Sequence, residues 1–249
     1  MHVGLIIGLL LATAITSFIS GIFGMAGGLI LMGVLTLLLP LSTAMVFHGV
    51  VQLVANGWRA YLIREHISWS VLRRYLIGGI PAMALLFFIT WQPDKQLVFI
   101  LLGAMAFVPW IPKSWFSLDV EKPLQAEALG FVAQALNTLA GVVGPILDVF
   151  FVQTDMTRQQ IVATKGATQV IAHGTKIVFW SLPVFMSAEE GGLLPPLWLL
   201  ALAIPFSMCG TWLGGKVLHM MTDVHFREWT KYLLTVIGVV YILRGTGVL

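Results

Sequence analysis

The first 58 residues contain no Asp, Glu, Lys or Arg, and this run decides what the chain can fold into. A helix that crosses a bilayer needs about 20 apolar residues, so the stretch up to Trp58 reads as membrane-spanning. The rest of the chain agrees: 58% of its 249 residues are hydrophobic and 10% are charged, against about a quarter in soluble domains. A chain of this length cannot hide so much apolar surface from water, which excludes a soluble globule. The apolar runs are too long for barrel strands and lack their period-two alternation. The expected class is an all-α integral membrane protein.

The single cysteine, Cys209, excludes an internal disulfide framework and a Cys-based zinc site, and reads as a packing residue. The N-terminus lacks the basic region of a cleaved signal, so it is read as mature protein. The net charge of +3 comes from basic residues scattered near helix ends, with no stripe for nucleic acid.

Apolar runs and breakers divide the chain into two similar halves, 1–122 and 123–249. A first stretch, Val3 to Pro40, is interrupted at Gly24-Met25-Ala26-Gly27-Gly28. Helices follow near Ser42 to Arg64, Trp69 to Trp91 and Leu97 to Trp110. Half two has a stretch from Leu124 to Thr154, interrupted at Gly141-Val142-Val143-Gly144-Pro145. Its helices follow near Met156 to Trp180, Leu193 to Val217 and Glu228 to Arg244. A constant offset of 117 residues aligns the halves without a gap from Gly24 to Arg59. It places Gly24 on Gly141, Gly27 on Gly144, Gly49 on Gly166, Gln52 on Gln169, Gly57 on Gly174 and Arg59 on Lys176. Chance alignment of glycines would not carry Gln onto Gln and a base onto a base, so an internal duplication is expected.

Loop charge suggests that the duplication is inverted. Arg59, Arg64, Arg73 and Arg74 flank the link after the second helix of half one, which is expected to be cytoplasmic. The counterpart link, Ser181 to Gly192, carries Glu189 and Glu190 and no base, and is expected outside. Equivalent loops on opposite faces give an inverted repeat with about eight to ten membrane segments, two of them broken or re-entrant at the glycine-rich stretches.

Two constellations carry the candidate chemistry. In the first, the glycine breaks let a backbone or a ligand approach closely, and a half-helix starting there offers N–H groups to an anion. Close packing of small residues is the alternative reading. In the second, His48, Gln52, Asn56 and Arg59 form one polar stripe at i, i+4, i+8 and i+11, and half two repeats it as Lys165, Gln169, His173 and Lys176. Polar groups facing lipid are costly, so both stripes should face the interior or a wet cavity. Arg59 and Lys176 can equally snorkel to the interface, the glutamines can bond neighbouring helices, and the histidines can be core residues. Lys165 sits mid-helix and is expected to pair with Asp148. Asp148 and His173 are candidate coupling residues, and Asn137 and Thr138, just before the second break, read equally as cavity-lining or helix-packing residues. Asp155 reads as a helix N-cap, with Ser42 or Thr43 in its place in half one. Six of the nine tryptophans, Trp58, Trp69, Trp91, Trp110, Trp180 and Trp229, read as interface anchors. Paired-His zinc motifs, phosphate-cradling loops and nucleophile elbows are absent, so no enzyme, cofactor or metal is expected.

Ser20 to Ile30, its degenerate echo in half two, and Ala163-Thr164-Lys165 followed by His173 and Lys176 resemble the TauE/SafE sulfite exporter family. The resemblance implies a multi-pass permease of a bacterial inner membrane that moves small sulfur-containing anions such as sulfite, sulfonates or sulfoacetate, usually outward. The matching positions are Gly24, Gly27 and Gly28 in the first break and Gly141 and Gly144 in the second. Pro145 and Asp148 depart from the family pattern. Together the readings predict a secondary transporter whose substrate contacts Gly24, Gly27, Gly28, His48, Gln52, Asn56, Arg59, Gly141, Gly144, Lys165, Gln169, His173 and Lys176. The expected partners are a small anion and the lipid bilayer, with no nucleic acid, and a homodimer is left open. An anion channel and a transporter of small carboxylates are the alternatives.

Overall fold

A computed structural model describes residues 2–23, 26–89, 91–112, 118–151, 154–186, 194–218 and 223–249. The described residues form ten α-helices and no strand. Half one contributes α1 (Val3–Phe23), α2 (Ala26–Leu38), α3 (Leu41–Leu62), α4 (Trp69–Ile89) and α5 (Lys95–Phe107). Half two contributes α6 (Gln125–Ala140), α7 (Gly144–Phe151), α8 (Arg158–Met186), α9 (Leu197–Leu218) and α10 (Asp223–Gly245). Three of them, α1, α4 and α9, are long and apolar enough to cross a membrane by themselves. Their outer faces expose large apolar side chains, among them Ile7, Leu11, Ile77, Phe88, Leu202 and Phe206, which is the surface a bilayer accommodates and water does not.

Local chemistry sets the breaks. Gly141 ends α6 with φ +85° and donates its N–H to the Asn137 carbonyl at 3.0 Å, the left-handed cap that glycine adopts without a Cβ penalty. Pro40 starts α3 without a side-chain cap, and Lys95 Nζ bonds the Leu39 carbonyl beyond the end of α2 at 2.7 Å. Asp94 caps α5 by accepting from the Leu97 N–H at 2.8 Å. At about 20 Å and 12 Å, α2 and α7 are too short to cross the roughly 30 Å hydrocarbon core. Each folds back on its predecessor: Gly27 of α2 lies against Thr16 and Ser20 of α1, and the Phe150 carbonyl of α7 accepts from Val120 ahead of α6.

Four sequence expectations are corrected. Thr157, not Asp155, caps α8: its hydroxyl accepts from Gln160 N–H at 3.3 Å, and the Gln160 side chain accepts from Thr157 N–H at 2.8 Å, a reciprocal capping box. Neither Ser42 nor Thr43 caps α3, because Pro40 fixes its start. Trp180 is a buried core residue, 1% exposed, because α8 runs on through Pro183 to Met186. Cys209 is exposed rather than packed. Trp58, Trp69, Trp91 and Trp110 are exposed near helix ends, where interface anchors belong. The Trp229 side chain, Glu189 and Glu190 lie outside the described residues.

The helices pair across the halves. α1 packs along α9 and α6 along α4, while α3 packs on α8 and α5 on α10. Small residues make the first two contacts. A Cβ on Gly214 would lie 2.1 Å from the Phe18 carbonyl oxygen, and one on Gly130 would lie 2.0 Å from that of Tyr75. Ser17 also donates to Ser207 at 3.0 Å. Such backbone approach holds membrane helices together where burial from water supplies no force. α1 runs parallel to α9 and α6 parallel to α4, whereas α3 and α8 are antiparallel. Gly49 faces Ile177 and Gly57 faces Val170; Gly166 faces Ala60 and Gly174 faces Leu53. Each contact becomes another when the offset of 117 residues is added to its half-one member and subtracted from its half-two member.

One end of the bundle gathers Arg64, Arg73, Arg74, Lys122 and Arg158. Arg74 joins both carboxylate oxygens of Glu127 at 2.8 and 2.9 Å and bonds the Glu121 and Lys122 carbonyls. Ser68 N–H donates to Thr164 Oγ1 at the same end. The opposite end carries Lys95, Asp94 and Arg244.

The packing generates a matched pair of variants. Gly214→Leu should cost about 1 to 3 kcal/mol through overpacking. Gly215→Leu, one residue on, has nothing within 4 Å of its Cβ position and should change stability by less than about 0.5 kcal/mol. Melting in detergent measures both, and equal shifts would contradict the α1–α9 contact.

Candidate functional site

The two polar stripes meet along the α3–α8 seam, where the glycines of both helices keep the bulk small. At the end of the seam away from Arg64 and Arg74, Lys176 and His48 form a closed cluster. Lys176 is 0% exposed, His48 1% and His173 3%. Lys176 Nζ lies 2.8 Å from His48 Nδ1 and donates to the Gly141 carbonyl at 2.9 Å. His48 Nε2 lies 3.0 Å from the Gly28 carbonyl. A carbonyl only accepts, so Nε2 carries the proton; an ammonium only donates, so Nδ1 offers its lone pair. With Lys176 as the donor, His48 is neutral and held in one tautomer. The His173 ring packs edge-on against it, with centroids 5.6 Å apart, and its Nδ1 is buried without a partner.

Toward the basic end, the equivalent positions form a second cluster. Lys165 Nζ pairs with Asp148 Oδ1, as the sequence predicts, and Arg59 lies near enough to repel Lys165. Lys165 and Asp148 keep 20% and 40% of their side-chain surface exposed, so the seam is more open here than around Lys176. Exchange of the halves explains the difference. The His48–Lys176 contact becomes Lys165–Arg59, with a cation where half one has a neutral ring. Asp148 balances that added charge, and its half-one counterpart, Leu31, is buried in the apolar core. The acidic departure at Asp148 therefore has an electrostatic reason.

The remaining predicted residues divide by what they touch. Between the clusters, Asn56 Nδ2 donates to the Gln52 carbonyl at 2.9 Å. The Gln52 amide lies beside Gly28, 3.1 Å from where a Cβ would stand. Gln169 is half-buried on the α8 stripe. Gly27 is a packing residue: a Cβ there would lie 2.0 Å from the Thr16 carbonyl oxygen. Gly144 is buried at the start of α7, and Gly24 lies outside the described residues. What the breaks deliver to the cluster is acceptors, the Gly28 and Gly141 carbonyls, rather than the N–H donors expected. In α7, Pro145 has no N–H to give, and Ile146 and Leu147 donate theirs to the Val143 carbonyl at 3.0 and 3.2 Å.

Several supports went unread in the sequence. Trp180 Nε1 donates to the Thr138 carbonyl at 2.8 Å and ties α8 to the turn before Gly141. Tyr241 Oη donates to the Leu29 carbonyl at 3.1 Å, and Met32 and Met45 pack where a Gly141 side chain would stand. Asn137 is fully buried, and both polar atoms of its side chain lack partners, unfilled capacity that a buried site reserves for water or a ligand.

The Lys165–Asp148 pair predicts non-additive energetics. Asp148→Asn and Lys165→Met should each cost about 1 kcal/mol, a value reduced for the exposure of the pair. The double variant should cost less than the two together. Denaturation of all three variants tests this, and strict additivity would remove the coupling.

A family model described as sulfite exporter TauE/SafE matches residues 9–241. No curated protein and no solved structure matches the chain. With a match over nearly its whole length, and with apolar helices around a polar seam, the chain is a multi-pass membrane transporter, not an enzyme, and belongs to the TauE/SafE sulfite exporter family.

Proposed function

We propose that the protein exports a small sulfur-containing anion, such as sulfite, a sulfonate or sulfoacetate, across a bacterial inner membrane. The observation that carries this reading is the charge of the seam. Lys176, Lys165 and Arg59 converge on it, and Asp148 is the one carboxylate paired there among the described residues. An uncompensated buried cation is costly, and an oxyanion between the clusters offsets that cost while meeting His173 and Asn137, two of the buried groups left without partners.

The basic end, with Arg64, Arg73, Arg74 and Arg158, faces the cytoplasm by the positive-inside rule. The halves, 1–122 and 123–249, are inverted repeats. The antiparallel α3–α8 seam and the exchange of its glycine contacts support this, because equivalent helices running oppositely need a two-fold axis in the membrane plane. Alternating access then moves one half against the other about the seam. The near-zero exposure of His48, His173 and Lys176 favours such a carrier over a channel, which needs an open path.

The test is thermal stabilisation of the purified protein across sulfite, sulfate, thiosulfate, taurine, sulfoacetate and simple carboxylates. A sulfur oxyanion or sulfonate at about a hundred times its Kd should stabilise by about 2.7 kcal/mol. Lys165→Ala and Lys176→Met should each abolish the shift. Stabilisation that survives in both variants would overturn the site, and a response confined to carboxylates would overturn the sulfur assignment.

A further inference from the structure

Two imidazoles and one lysine amine lie together on the α3–α8 seam, all three buried from water. Lys176 donates to His48 Nδ1 and to the Gly141 carbonyl, while His48 gives its own proton to the Gly28 carbonyl. His48 has no vacancy, since protonating Nδ1 would set two donors against each other. His173 differs. It lies one turn before Lys176, its ring touches that of His48, and its buried Nδ1 meets no partner.

Among the described residues, nothing on the surrounding helices balances a second positive charge. α2 has no titratable side chain and presents the Gly28 carbonyl. α6 presents the Gly141 carbonyl, and its one carboxylate, Glu127, is held by Arg74. Asp148 of α7 is held by Lys165, and Arg59 adds a further cation on α3. On α4, Arg73, Arg74 and Tyr75 lie toward the basic end, and Met83 meets the His173 turn through Thr175. On α9, Lys216 stacks on Trp212 and Cys209 is exposed. Tyr241 of α10 donates to the Leu29 carbonyl.

We infer that the anion binds together with one proton, taken up by His173. The empty triad accommodates one positive charge, and the anion supplies the negative charge that permits a second. The proton adds to the ring nitrogen that holds the lone pair, so that both nitrogens carry N–H. Nδ1–H and Lys176 then make two charge-assisted hydrogen bonds to the oxyanion. No covalent bond to the anion forms or breaks, and the proton returns to water when the anion leaves. A dianion such as sulfite thus crosses with a net single negative charge, which an inside-negative potential still drives outward. This inference rests on the anion site proposed above and adds the coupling ion and the residue that carries it.

By linkage, anion affinity tightens as pH falls, by up to about tenfold per pH unit. The effect spans the range in which the loaded triad holds the extra proton and the empty one does not. The experiment is calorimetric titration of the detergent-purified protein with sulfoacetate, whose sulfonate and carboxylate stay ionised from about pH 6 to pH 8. Two sulfonate-free buffers of different ionisation enthalpy yield the proton count. Wild-type protein should take up close to one proton per anion. His173→Asn, the residue half one carries at the equivalent Asn56, should take up none and bind at the weak level of the wild type at high pH, without pH dependence. Wild-type binding without proton uptake overturns the inference and leaves the anion site standing, as does undiminished uptake in His173→Asn. No binding of sulfoacetate at any pH overturns the inference, and the thermal panel then decides separately whether the anion site survives. The wild-type count does not depend on whether the variant folds.

Discussion

A lysine amine removed from water must find other dipoles to hold it, and Lys176 finds two, each on a different element. Its own helix, α8, carries it to the seam, His48 of α3 supplies a ring lone pair, and Gly141 at the end of α6 supplies a carbonyl. Each partner must itself be held. His48 is turned by the Gly28 carbonyl. Gly141 is fixed by a left-handed backbone that glycine alone adopts easily, with Met32 and Met45 filling the space a side chain would need. The Trp180 bond to Thr138 locks the turn just before it. One buried charge therefore ties both glycine breaks to both polar helices, and a shift of either break alters the field at the site.

The rest of the architecture brings those groups together without exposing them. Since lipid is as apolar as the outer helix faces, helix association rests on close approach. α1 and α9 meet through glycines and serines, and α4 and α6 through glycines. Each of these pairs joins one helix from each half, so neither half encloses its polar residues alone. The apolar helices α1, α4 and α9, with α10, expose large apolar side chains on the outside of the shell, while α3 and α8 carry the polar stripes inside it.

Much of this was legible in the sequence because it depends on spacing. Glycine clusters and prolines marked the helix ends, and a polar residue every turn marked one face of α3 and α8. The pairing of Asp148 with Lys165 followed from one carboxylate near one mid-helix cation. What could not be read is what spacing does not encode. The stripes bond across the halves, His48 to Lys176, and no within-helix period announces a partner 128 residues away. The breaks contribute carbonyls because of the direction in which the backbone turns, which side-chain patterns do not record. Asp155 has the chemistry of a cap, but Thr157 has a glutamine three residues on to complete the reciprocal pair. Trp180 has the chemistry of an interface anchor, but Pro183 lies inside a helix that continues to Met186 and so leaves Trp180 short of the helix end.

The two corresponding stripes differ where charge is concerned. At four corresponding positions half one has His, Gln, Asn and Arg, and half two has Lys, Gln, His and Lys. Glutamine alone is kept, and it lies between the clusters, where either half presents the same amide to whatever occupies the seam. The outer positions have changed in a compensated way. Lysine for His48 adds a charge that Asp148 balances, and lysine for Arg59 shortens the reach of a cation that must end beside His48 rather than at the basic surface. Perfect symmetry would place a histidine and a cation at each end, giving two equal clusters. The observed sequence gives one end a fully buried ammonium held by neutral groups and the other a partly exposed ion pair beside a second cation. Exchanging the conformations of the halves would bury the ion pair and expose the lone ammonium, and burial costs those two arrangements differently. In the carrier proposed above, the two orientations would therefore be unequal in energy when empty, and an anion between the clusters would change that difference because it interacts differently with a lone cation and with one already paired.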